Sequence, residues 1–196
     1  MSLWGNSDAD ESKPKNLTTA EKKEVYATAS GWVREAGSAL SGNSNTSADP
    51  EVLVAISALS TNLGAADVTE VEWITTAADK SAGFTLSIRV RYNEAVTVTG
   101  SPTLAVTNGN QGSGSGRGPH TLVYASGTGT NELIFNLAIA AANAATNADD
   151  VLSIGAQNVL KPGGATIKDT AGTNSDSAVA ISGAQGTAAG TLTVVA

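Results

Sequence analysis

Nine residues, Phe84-Thr85-Leu86-Ser87-Ile88-Arg89-Val90-Arg91-Tyr92, alternate between apolar and polar without a break, and they limit the fold more than any other stretch of the chain. A strand sends successive side chains to opposite faces, so Phe84, Leu86, Ile88, Val90 and Tyr92 share one face that other strands must cover. Candidates to cover it follow in order: Val71-Glu72-Trp73-Ile74, Val96-Thr97-Val98, Thr103-Leu104-Ala105-Val106, Thr121-Leu122-Val123-Tyr124, Glu132 to Leu137, Thr166-Ile167-Lys168 and Thr191 to Val195. Turn signals separate them at Gly100-Ser101-Pro102, Asn108-Gly109, Gly127-Thr128-Gly129 and Pro162-Gly163-Gly164. Short strands at this spacing predict an antiparallel β-sandwich over residues 68–196. Only 4% of residues are aromatic against 41% hydrophobic, so its core must be aliphatic. The Ala-rich stretch Ala138 to Ala148 reads as a crossover between sheets, and no internal repeat suggests a propeller or solenoid.

Two further zones precede the sandwich. Residues 17–67 predict a small β-rich docking domain. Thr18-Thr19-Ala20-Glu21 has capping-box spacing for one short helical turn. Val25 to Ala29 and Gly31 to Glu35 alternate like strands, and Val52 to Ile56 is a short apolar run beyond a loop rich in Gly, Asn and Ser. A helix from Ala20 to Leu40 is the competing reading, opposed by Gly31 and the β-branched residues. Residues 1–16 form an extended polar arm whose apolar anchors are Leu3 and Trp4, either a tail or a segment that orders against a neighbour.

Charge and chemistry narrow the function. Eleven Lys and Arg against 18 Asp and Glu, a net charge of −7, disfavour a nucleic-acid partner. With no cysteine there is no disulfide or thiolate metal site. The start of the chain lacks the pattern of a secretory signal, and no apolar run approaches the roughly 20 residues that span a bilayer, so synthesis in the cytoplasm and no membrane insertion are expected. His120, the single histidine, reads as a surface loop residue; Gly112-Ser113-Gly114-Ser115-Gly116 is a flexible linker rather than a nucleophile elbow. Asp149-Asp150 suits a turn. Asp149, Asp150, Asp169 and Asp176 are the residues to consider for calcium, but no loop carries a dense alternating ligand pattern. Trp32 and Trp73 lie in strand patterns and read as core. Asn16-Leu17-Thr18 and Asn45-Thr46-Ser47 match the glycosylation triplet, a match common by chance in Asn- and Thr-rich sequence. No catalytic, cofactor or metal site is expected, and the chain reads as no enzyme.

Three segments carry a resemblance. Tyr92 to Leu104, Val123 to Phe135 and Gly164 to Thr173 resemble, in order, the hallmarks of bacterial immunoglobulin-like domains of adhesins and other extracellular repeat proteins. The Gly-rich insertion Asn108 to Pro119 departs from the compact family loop. Ser2-Leu3-Trp4-Gly5-Asn6, with Leu17 to Lys22 downstream, is similar to the heads of small virion proteins of marine and cyanobacterial contractile-tailed phages. Together these imply an immunoglobulin-like sandwich on a virion surface, as a capsid decoration protein docked through its N-terminal region by Leu3 and Trp4. Its partners would be capsid or other virion proteins, with self-association at a sheet edge. An adhesive module at the neck, tail or fibre, binding host-surface glycans through loops Asn108 to Pro119 and Ala141 to Asp150, is the second expectation.

Overall fold

The computed structural model describes residues 14–109, 118–141, 146–172 and 174–196. In chain order the elements are α1 (Thr19–Lys23), β1 (Val25–Thr28), β2 (Gly31–Arg34), β3 (Glu51–Ala55), α2 (Leu59–Asn62), β4 (Val68–Trp73), β5 (Ala78–Asp79) and β6 (Phe84–Thr99). Then follow β7 (Thr103–Gly109), β8 (His120–Ser126), β9 (Thr130–Ile139), β10 (Val151–Ser153), β11 (Gln157–Asn158), β12 (Thr166–Asp169), β13 (Ala180–Ile181), α3 (Gly183–Ala189) and β14 (Thr191–Val195). The protein is mainly β, with 47% of residues in strands.

The alternating stretch does form a strand, and a longer one than its pattern announces. β6 runs on through Val96-Thr97-Val98, which is therefore no separate strand. Along Phe84 to Arg91 it pairs antiparallel with β9, and Val96 resumes the pairing at Thr130 after a register shift. Its other edge is shared. β4 pairs from Ile88 to Tyr92, and β12 pairs from Val96 to Thr99. Between those two partners Glu94 pairs with Ala27 of β1, in parallel.

The connected strands follow the order β3-β2-β1-β6-β9-β8-β7-β10-β14-β5, with β4 and β12 attached to β6, while β11 and β13 form a separate pair. This corrects the purely antiparallel expectation. The β1–β6 and β14–β5 contacts are parallel, so the twelve-stranded sheet is mixed and is not clearly divided into two layers. A core forms regardless, from Leu86, Ile88, Val90 and Tyr92 on β6 with Leu104, Leu122, Leu133, Phe135, Leu152, Ile167 and Val194 on its neighbours. Phe135 meets Tyr124 edge-on at 6.1 Å.

The N-terminal unit has its own apolar cluster of Val25, Ala27, Trp32 and Leu59, with Leu17, Leu53, Val54, Ile56 and Leu63 against it. The helical alternative for Ala20 to Leu40 is overturned there. Thr18 caps α1 in a capping box with Glu21, and the helix stops at Lys23 so that β1 can pair with β2. Gly31 is the reason a strand turn fits at this point. Its φ is 129°, and a Cβ would stand 2.0 Å from the Val54 carbonyl oxygen, so only glycine allows β3 to close on β2. In the β2–β3 loop the side chains of Asn43 and Asn45 accept from the amides of Asn45 and Ser47, which accounts for its polar composition.

α3 was not foreseen, because its two glycines depress helix propensity. Ser182 and Gln185 nonetheless form a capping box, and the Gln185 amide also donates to the Val68 carbonyl at 2.8 Å, fixing the helix to β4. Of the expected Ala138 to Ala148 crossover, Ala138 and Ile139 belong to β9, and residues 142–145 lie outside the described ones.

Polar bonds join the N-terminal unit to the large core. Arg91 on β6 reaches Glu35 at 2.8 Å, Glu132 at 2.6 Å, Glu72 at 3.3 Å and the Lys23 carbonyl at 3.1 Å. Lys23 pairs with Glu70 on β4. Arg91 is buried, so its partners replace the water it has lost. Replacing Arg91 by Ala strands these acids and should cost about 3–5 kcal/mol of stability, read as a fall in the urea midpoint. Glu51→Ala removes only an exposed partner of Arg34 and should cost less than about 1 kcal/mol.

Candidate functional sites

The expected docking anchors Leu3 and Trp4 lie outside the described residues. The described chain opens at Pro14, and Pro14, Lys15 and Leu17 line a cavity of about 640 Å³ completed by Lys22, Lys23, Val25, Glu70 and Gln185. The N-terminal unit also presents an outer strand. β3 pairs with β2 alone among the described strands, and Val52 upon it is 49% exposed. Trp32 is fully buried, as its strand pattern implies, whereas Trp73 is half-buried and donates to the Gly190 carbonyl at 3.3 Å.

The flanks of the two loops expected to face glycans are brought together at one end of the sheet. Val151 pairs with Gly109 across β10 and β7. The Asn108 amide donates to Asp150 at 2.9 Å, and the Asn147 backbone N–H donates to the same carboxylate oxygen at 2.8 Å. His120 corrects the sequence expectation of a surface residue. It opens β8, is buried, and its Nε2 lies 3.2 Å from the Thr146 hydroxyl. Alternation places it with Leu122 on the inward side, and the proline before it masked that signal. Residues 110–117 between these flanks are outside the described ones.

The four aspartates considered for calcium do not form one group. Asp149, with φ 66°, and the buried Asp150 stand before β10, whereas Asp169 ends β12 and Asp176 forms an isolated bridge with Lys168. Among the described residues no three His, Cys, Asp or Glu side chains form a metal-binding group.

A different carboxylate, Glu94, is a diagonal neighbour of Asp169, and no motif marks it in the sequence. Glu94 lies in the stretch of β6 where β4 has ended and β12 has not begun. It is 0% exposed, and neither carboxylate oxygen has a hydrogen-bond partner. Burial, with the nearby charges of Asp169 and Asp67, pushes its pKa up to about 8. Asp169 is buried too. Its Oδ1 accepts from the Ala171 amide at 2.8 Å, while its Oδ2 is buried without a partner. Burial raises its pKa against that hydrogen bond. Asp67 is held alongside, its N–H donating to Asn93 Oδ1 at 2.7 Å and its carbonyl accepting from the Asn93 N–H at 3.0 Å. The only sequence signal for Glu94 was parity, since counting in twos from Phe84 through Tyr92 reaches it.

Comparisons of the chain with protein-family models, with curated proteins and with solved structures find no match.

Burial lowers the pKa of His120, against a smaller opposing pull from Asp150. The folded value lies below the unfolded one, near 6.5, so the unfolded chain binds more protons and stability falls as pH drops below about 6.5. Chemical unfolding of wild type and His120→Gln between pH 7.5 and 5 should show the wild type losing the more stability on acidification.

Proposed function

We propose that this chain is a non-catalytic structural protein of a phage particle, a capsid decoration protein that docks by its N-terminal region and displays an immunoglobulin-like domain. The observation that carries the docking part is β3, an outer strand that among the described strands pairs with β2 alone and bears an exposed Val52, set on a unit with its own apolar cluster. Such an edge accepts a strand from a neighbouring subunit, and an apolar side chain in a pocket adds specificity. Repetition on a lattice turns weak single contacts into firm attachment. The phage context is supported by the resemblance of Ser2 to Asn6 and Leu17 to Lys22.

The immunoglobulin-like reading draws support from two turns. Tyr124, Gly127 and Gly129 lie in the second segment of the resemblance, Val123 to Phe135, at the β8–β9 turn. Here the Tyr124 hydroxyl accepts from the Thr128 N–H at 2.8 Å, and Thr128 Oγ1 accepts from the Val98 N–H at 2.9 Å, tying the β8–β9 turn to β6. The segment Gly164 to Thr173 supplies β12 and the Asp169–Ala171 turn against the same strand.

A second reading, an adhesive module for host-surface glycans, is favoured by one observation. The bases of its two candidate loops are joined through Asn108–Asp150 and His120–Thr146, so they share one surface.

The first reading predicts that deletion of residues 1–15 removes the protein from purified particles, and that Val52→Lys lowers its copy number. Normal copy number in both variants would refute docking through this region. The second predicts binding of the multivalently displayed full chain on a glycan array, lost when residues 110–117 are replaced by a short linker; no binding at high display refutes it.

A further inference from the structure

Buried carboxylates persist in proteins when something answers their charge: a hydrogen-bond donor, a basic side chain, a proton or a metal ion. Among the described residues Glu94 has no donor on either oxygen. Val96, two residues further along the same face of β6, is the cross-strand partner of Asp169, so the two buried carboxylates are diagonal neighbours. The described charges that act on Glu94 are Asp169 and Asp67, both acidic. Asp169 adds a second buried oxygen without a donor.

The backbone beside Asp169 offers a further oxygen. Gly172, with φ 63°, follows Asp169 in the closing turn, and a Cβ placed on it would stand 3.1 Å from the Thr61 carbonyl oxygen and 3.3 Å from Asp169 Oδ2. Both oxygens therefore abut the bare face of one glycine. Thr61 belongs to α2, so the N-terminal unit reaches the same spot. Thr61 and Gly172 are exposed, so the Asp169 end of this spot borders solvent.

We propose that Glu94 and Asp169, with the Thr61 carbonyl, bind one hard divalent cation, calcium in preference to magnesium. The donor set is oxygen throughout and mixes carboxylates with a main-chain carbonyl. Calcium accepts six to eight such ligands in irregular geometry and completes its shell with water, so two carboxylates suffice without a third converging acid. Magnesium demands a near-ideal octahedron and holds its own waters, which a partly buried site of this kind does not suit. The site joins α2, the strand β6 and the turn after β12, so an ion there fastens the N-terminal unit to the large core.

The test uses the full chain, stripped with chelator and dialysed, and follows thermal unfolding and calorimetric titration with calcium chloride at pH 7.5. One calcium per chain should bind, and at a hundredfold excess over the dissociation constant the midpoint should rise by roughly 5–10 °C. Magnesium at equal concentration should give a much smaller rise. Glu94→Gln removes a buried charge, so it should fold at least as stably as the stripped wild type, yet lose the calcium response. Asp49→Asn, an exposed site elsewhere, should keep it. If calcium up to millimolar levels moves neither midpoint nor heat, or if Glu94→Gln responds as the wild type does, the site does not exist. A stripped wild type that matches Glu94→Gln below pH 7, falls behind it only above pH 8 and ignores calcium would show that a proton, not a metal, neutralises Glu94.

Discussion

A single strand, β6, carries the pairing of this protein. It is sixteen residues long, and it pairs with four strands, β9, β4, β1 and β12. Strand periodicity makes that arrangement demanding. A slip of one residue would move Leu86, Ile88 and Val90 out of the core and put Arg89 and Arg91 into it. The register is therefore fixed by burial along Phe84 to Tyr92, and everything that pairs with β6 inherits it. The edge it leaves between Tyr92 and Val96 is where the N-terminal unit attaches.

Charge is buried in two contrasting ways along this one strand. Arg91 sits among Glu35, Glu72 and Glu132 and the Lys23 carbonyl, so its loss of hydration is offset by directed bonds. Burial raises the pKa of Glu132 even so, with Arg91 and Arg89 pulling the other way. Glu94, three residues on, has acids for neighbours and no donor. The arginine cluster answers each charge with one of opposite sign and reads as structural. The carboxylate is incomplete, which sets it apart as a place where something from outside the chain belongs.

Much of the fold was legible because period-two alternation reports burial directly. Phe84 to Tyr92, Thr191 to Val195 and the paired segments at Val25 and Gly31 all became strands, and the Thr18 capping box started its helix. What stayed hidden depends on distant partners. No local pattern distinguishes an antiparallel neighbour from the parallel pairing of β1 with β6 or of β14 with β5, and two-residue strands such as β5, β11 and β13 are too short to show a period. His120 was misjudged because Gly118 and Pro119 look like loop, while its burial comes from Thr146, far along the chain. Glu94 was passed over for a related reason. The alternation was ended at Tyr92, its last apolar residue, and a carboxylate at an inward position is visible only if the strand is known to continue.

The placement of β14 decides how this chain can fold during synthesis. Thr191–Val195 pairs with both β10 and β5 and contributes Leu192 and Val194 to the core that β6 begins. β6 emerges from the ribosome long before the strand that completes its cover. Until then its apolar face and open edges are exposed to other chains, and the long-range pairings that protect them form slowly because they close large loops. Yield in a cell is thus governed by a race between the arrival of the last strand and association with a neighbouring nascent chain.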